Sequence, residues 1–106
     1  MTQTATADLF YSTLADDPII GEIVVLYVAE MPDRVAALAA RWDARDYQGL
    51  TTLAHQMKGA AGSHGFAQLT PYAARLEQLA GARAAEREIQ PALDALLSAC
   101  ARVRCR

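Results

Sequence analysis

Apolar positions recur at intervals of three and four along most of this chain, and the residues that interrupt the rhythm are those that start or stop helices. Residues 1–5 are polar and aperiodic and are expected to fray. Leu9, Phe10 and Leu14 then suggest a short helix, capped by Thr6 or Asp8 and stopped by Asp16-Asp17-Pro18. The same pair opens a long second helix, with Asp17 as N-cap and Pro18 at the first helical position, predicted over residues 18–45. Ile20, Val24, Tyr27, Val28, Met31, Val35, Leu38 and Trp42 carry its inner face. Pro32 removes a backbone donor, so this one helix should kink there or break at Met31.

Asp46 can cap a third helix over residues 47–63, which Gly65 ends. Thr70-Pro71 starts a fourth, or marks its second turn, with Leu69, Tyr72, Ala73, Leu76 and Ala80 as the inner stripe. Gly81 and the polar run to Glu88 make a turn. A last helix over residues 87–103 brings Ile89, Leu93, Leu96, Leu97 and Cys100 inward, and Pro91 should fall in its first turn, where no hydrogen bond is lost. Short loops between such helices imply antiparallel neighbours. The expected fold is all-α: one domain over residues 1–106, an antiparallel up-down four-helix bundle with a short N-terminal capping helix.

The third helix carries the candidate chemistry. On a helical wheel Leu50, Leu53, Ala54, Met57, Ala61 and His64 fall within about 40° of one direction, the buried face. His55 lies about 140° away, facing water, with Thr51, Gly59 and Gly62 close to it and Lys58 about 60° to its side. Two glycines on that outer face forgo about 1 kcal/mol each relative to alanine, so something must approach the backbone there. Lys58, at i+3, can bring an ammonium to an anion carried by the imidazole. A phosphoryl group fits: neutral imidazole accepts it near pH 7, and the phosphoramidate formed can pass it on.

These residues resemble the histidine-containing phosphotransfer (HPt) domain family, whose pattern is His, two residues, Lys-Gly, small residues, and a Gly ten positions after the His. His55, Lys58, Gly59, Ala60, Ala61 and Gly65 meet it, and Ala74-Arg75-Leu76-Glu77 matches the ending typical of the next helix. His64 departs from the family, standing where an apolar residue is usual. The resemblance implies that His55 takes a phosphoryl group from a receiver-domain phospho-aspartate and hands it to another receiver. It implies that Lys58 stabilises the phosphoryl group and that Glu77 accepts from Nδ1, leaving Nε2 to react. Thr51, Gly59 and Gly62 then face the partner. No cofactor is expected on this chain, with Mg²⁺ held by the receiver. The expected partners are response-regulator receivers and a sensor or hybrid histidine kinase.

Composition narrows the alternatives. Just over half the residues are apolar and the net charge is −2, so no basic nucleic-acid surface is expected. Cys100 and Cys105, five apart, match neither a CxxC nor a zinc spacing and read as free thiols. The apolar run over residues 19–29 contains Glu22 and falls short of a bilayer span, so a cytoplasmic monomer is expected, and Met1 favours a free-standing protein. His64 points away from His55, toward the core, and reads as structural; Trp42, Met57 and Tyr72 read as core. There is no Glu-x-x-His metal motif, no nucleotide loop and no paired nucleophile and base, hence no ATP binding or self-phosphorylation. The rival reading is a helical docking or dimerisation module that binds a receiver or kinase without phosphotransfer.

Overall fold

The computed structural model describes residues 8–105; the segment expected to fray and the proposed cap Thr6 lie outside the described residues. The order of elements is β1 (Phe10–Tyr11), α1 (Ile20–Ala29), α2 (Met31–Asp43), α3 (Tyr47–Ser63), a 3₁₀ turn (Ala67–Leu69), α4 (Thr70–Gly81), α5 (Glu86–Cys100) and β2 (Val103–Arg104). Among the described residues the chain is mostly helical, with one two-residue strand pairing. Helix contacts run from α2 to α3, α3 to α4, α4 to α5 and back from α5 to α2. Leu38, Leu50, Ala54, Ala61, Leu69, Ala73, Leu76, Ile89 and Leu96 lose almost all contact with water inside that circuit, each large aliphatic contributing roughly 1.5–3 kcal/mol.

The short N-terminal helix does not form. Phe10 and Tyr11 instead pair in parallel with Val103 and Arg104, and the Phe10 N–H donates to the Arg102 carbonyl at 2.8 Å. The hydroxyl of Ser12 donates to the His64 carbonyl, and the Thr13 N–H to that of Gly65 at 3.1 Å. These long-range partners satisfy the backbone that a helix would have satisfied locally, and an aromatic, hydroxyl-rich run such as Phe10-Tyr11-Ser12-Thr13 suits extended chain. The same pairing ends α5 at Cys100, short of the expected 103.

The segment closes over Gly65, whose φ is +82°, a conformation that favours glycine. A Cβ there would collide with the Ser12 hydroxyl and sit 2.9 Å from the Thr13 nitrogen. Gly65→Ala should therefore lower stability by about 1–3 kcal/mol, read as a lower urea midpoint at unchanged slope.

Asp17 accepts from the Ile20 and Ile19 N–H groups at 2.8 and 2.9 Å, and those bonds hold its carboxyl below the usual range. They secure a turn at Pro18 and Ile19, however, and α1 starts at Ile20, two residues later than expected, with Ile19 in the N-cap place. The single helix expected over 18–45 is instead two, α1 and α2, parted at Glu30 (φ −88°, ψ −3°). Pro32 has no N–H for the Val28 carbonyl, and it starts the second piece as a first-turn proline. The Arg34 guanidinium donates to the Tyr27 carbonyl at 2.8 Å across the break and pairs with Glu30 at 3.0 Å.

Asp46 accepts from the Gly49 N–H at 2.9 Å and caps α3 as expected. Pro91 lies in the second turn of α5, not the first, leaving the Arg87 carbonyl without its helical donor. Its neighbour Gln90 anchors this part of α5 by accepting from the Trp42 indole at 2.7 Å. Trp42 and Met57 are core, whereas Tyr72 is only half-buried, its place in the α4 stripe taken by Leu79.

Candidate phosphotransfer site

His55 stands in the middle of α3 with about two thirds of its side chain exposed. The helix holds it there because Leu50, Ala54, Met57 and Ala61 bury the opposite face. Its Nδ1–H donates to Glu77 Oε2 on α4 at 2.8 Å. The second carboxylate oxygen, Oε1, receives the ammonium of Lys58 at 2.7 Å. One carboxylate thus joins the histidine and the lysine, each oxygen having its own partner. The hydrogen bond from Lys58, and then that from His55, hold the Glu77 carboxyl below the usual glutamate range. A charged Glu77 accepts only, so it fixes the proton on Nδ1 and leaves the Nε2 lone pair free.

The bond follows from packing. The close α3–α4 contact seats Leu76 in the core, and Glu77, the next residue round, lies half-buried at the helix boundary facing His55. Exposed ion pairs contribute only about 0–1 kcal/mol, so the arrangement orients groups more than it stabilises the fold.

The two glycines are where the face is barest: a Cβ at Gly59 or Gly62 would meet nothing within 4 Å. Thr51, one turn before His55, is half-buried; its hydroxyl donates to the Tyr47 carbonyl at 2.7 Å, and its methyl lies beside Gly81. On the other side of the histidine, Gln56 helps line an apolar groove between α2 and α3, with Ala37, Leu38, Leu53, Met57 and Ala60.

His64 is remote from this chemistry. Its ring stacks on Tyr27 at 4.2 Å and its Nδ1–H donates to the Ala60 carbonyl at 2.6 Å. Arg34 covers Tyr27 at 4.1 Å from the ring centroid. His64 thereby ties the end of α3 to α1, a packing role. Cys100 is buried, with its thiol pushed up to about 11 by burial, and it and Cys105 are free.

Three features were not legible in the sequence. Lys58 rests on Glu77. Ile23 and Leu26 on α1, with Ile19 just before it, form an exposed apolar stripe, which only the packing of the helix reveals as uncovered. Arg83 adopts φ +53° just past α4, where a sequence reader looks for glycine.

The site is thus an exposed histidine on a mostly helical scaffold, with Nδ1 engaged by a carboxylate that also holds a lysine. The model of the Hpt domain family matches residues 22–104, and the chain belongs to that family. Membership implies histidine phosphotransfer in two-component phosphorelays, among receiver domains and histidine kinases. No curated protein and no solved structure matches the chain. No helix among the described residues is long and apolar enough to cross a membrane.

Proposed function

We propose that this protein is a phosphorelay intermediate in which His55 accepts a phosphoryl group from a receiver phospho-aspartate and passes it to another receiver. The observation that carries the reading is the bond from His55 Nδ1–H to Glu77, at 2.8 Å, on a histidine otherwise open to water. The Nε2 lone pair attacks phosphorus in line, an N–P bond forms, and the P–O bond to the aspartyl carboxylate breaks, returning that carboxylate to the receiver. Nδ1 keeps its proton, and Glu77 offsets the positive charge that builds on the ring. Lys58 has three donors and can turn one to a phosphoryl oxygen while another stays on Glu77. Transfer to the next receiver is the reverse step.

On this reading the chain needs no cofactor, and Mg²⁺ belongs to the receiver. It works as a cytoplasmic monomer, without kinase or ATP-binding activity of its own. Residues 31–104 form the antiparallel four-helix bundle on which the site is mounted. Thr51, Gly59 and Gly62 lie under the partner, and the groove beside Gln56 offers it apolar contact.

Transfer of labelled phosphoryl from a panel of phosphorylated receiver domains tests the proposal. At least one receiver should label the protein rapidly, with an acid-labile product. Binding without labelling by any receiver would overturn it in favour of a docking module.

The Glu77 assignment has its own test. Glu77→Ala should slow transfer roughly tenfold, the order expected for losing one charge-assisted hydrogen bond on an exposed group. Glu77→Gln, which keeps an acceptor oxygen, should recover much of the rate. Proton–nitrogen NMR of the ring should show the Nδ1–H tautomer in the wild type and its loss in Glu77→Ala. Because the Glu77 carboxyl is held below its ordinary value, it should remain a charged acceptor through mildly acidic pH. The contribution of the bond is full above the ordinary glutamate pKa and lost as pH falls through the lowered one.

A further inference from the structure

The end of α4 carries a strained arginine. α4 closes with the Arg83 N–H on the Ala80 carbonyl and the Ala84 N–H on the Leu79 carbonyl, both at 3.0 Å, which places Arg83 at the left-handed position of the helix stop. Its φ is +53°. Glycine is the default there, since a Cβ makes the conformation unfavourable. Such outliers persist where something outside local structure keeps them.

Arg45 is a control within the same molecule. It occupies the corresponding position after α2, also with φ +53°. Its side chain is fully employed inside the fold: it pairs with Glu86 at 2.7 Å, donates to the Trp42 carbonyl, and covers the Trp42 ring at 3.8 Å. Arg83 has no such employment. Its guanidinium lies 5.3 Å from the Tyr47 ring centroid and makes no hydrogen bond or ion pair among the described residues.

Arg83 lines an open cleft of about 270 Å³ with Tyr47, Gln48, Thr51, Thr52 and Gly81. Thr51 and Thr52 stand four and three residues before His55, and Tyr47 eight before it. At 1.5 Å per residue the cleft therefore lies about 4.5–12 Å along α3 from the reactive histidine. A standard interface buries about 800 Å² per partner, equivalent to a disc about 16 Å in radius, so a partner centred on His55 reaches it. α3 itself carries no acidic residue. Along that face Lys58 is already paired with Glu77, while Arg83, at the other end, has no anion.

We propose that Arg83 is a docking residue: with Gln48 and Thr52 it receives a carboxylate side chain from the rim of the receiver's phosphorylation face. The partner's chemistry follows from the transfer step, because a surface that holds Mg²⁺ and presents an aspartyl phosphate is built from carboxylates. The inference rests on the relay reading above. The guanidinium lies over the Tyr47 ring, 5.3 Å from its centroid, a contact that leaves its N–H donors available to an anion in the cleft. As a rim charge, Arg83 acts on encounter and orientation and leaves the bond-making step alone.

The test uses Arg83→Gly and Arg83→Glu with the receiver that labels the wild type fastest. Arg83→Gly relieves the backbone, so it should melt no lower than the wild type. Its kcat/KM for phosphoryl transfer should fall about fivefold at low salt, through KM with kcat unchanged, and Arg83→Glu should fall further. In 0.5 M salt the three proteins should converge. Labelling of His55 by the small donor phosphoramidate should be equal in all three. If the variants transfer like the wild type at low salt, Arg83 is no docking residue, yet the relay stands. If only kcat falls, or the loss is independent of salt, a structural role replaces docking. If no receiver labels the wild type, the relay fails and this inference with it.

Discussion

His55→Gln is expected to remove phosphoryl transfer altogether, a loss of roughly a thousandfold or more, while leaving the melting temperature almost unchanged. The two halves of that expectation come from different parts of the geometry. The ring is about two thirds exposed and contributes one hydrogen bond to a carboxylate that keeps a second partner in Lys58. Surface substitutions of that kind usually change stability by less than about 0.5 kcal/mol. The chemistry has no substitute. A glutamine amide lacks a nucleophilic lone pair, and Lys58 is an ammonium tied to Glu77. His64, the other histidine, has its ring stacked on Tyr27 and its Nδ1 on the Ala60 carbonyl. Labelling from a phosphorylated receiver, followed by acid treatment, reads the first half, and thermal unfolding by circular dichroism reads the second. Residual acid-labile label at a rate near the wild type would move the acceptor to another residue.

Gly59→Leu should separate folding from function in the opposite sense, making a more stable protein that works worse. A side chain at this position enters open space, with nothing within 4 Å of the new Cβ. Replacing a mid-helix glycine by leucine favours the helix by about 0.5–1 kcal/mol, a rise of roughly 4 °C in Tm. The same side chain stands one turn from His55 on the face a receiver must approach. Displacing the reacting groups by about 1 Å can cost about 100-fold in rate, and a loss of that order is expected for transfer from a receiver. Phosphoramidate, which is small, should still label His55. A leucine variant that exchanges phosphoryl groups with its receiver at the wild-type rate would show that the bare face serves no partner.

Much of the site could be read from residue order because it obeys local rules. The distance from His55 to Lys58 and Gly59 is set by the pitch of a single helix, and the outward direction of all three follows from the apolar spacing on the other side. Asp46 and Gly65 bound that helix by side-chain and backbone preferences that act over three or four residues. Pro32 likewise announced an interruption. How complete it would be depended on Arg34 reaching back to the Tyr27 carbonyl, which compensates the break and lets α1 and α2 part at Glu30.

Near the ends of the chain a distant partner overrode a local preference. Leu9, Phe10 and Leu14 have helical spacing, but Phe10 bonds to Arg102 and Ser12 to His64, partners no nearby residue could foretell. Once those bonds form, extended chain at 10–11 and 103–104 satisfies the backbone as fully as a helix would. The joining of Glu77 to both His55 and Lys58 belongs to the same class. Periodicity placed each residue at the correct edge of its helix, and only the packing of α3 on α4 put one carboxylate oxygen opposite each nitrogen. Helix phase, caps and the identity of the nucleophile are short-range properties and are written in residue order. The proton's position on His55, the fold of the N-terminal segment and the unpaired charge of Arg83 depend on contacts between elements far apart in the chain, which exist only once the core has brought those elements together.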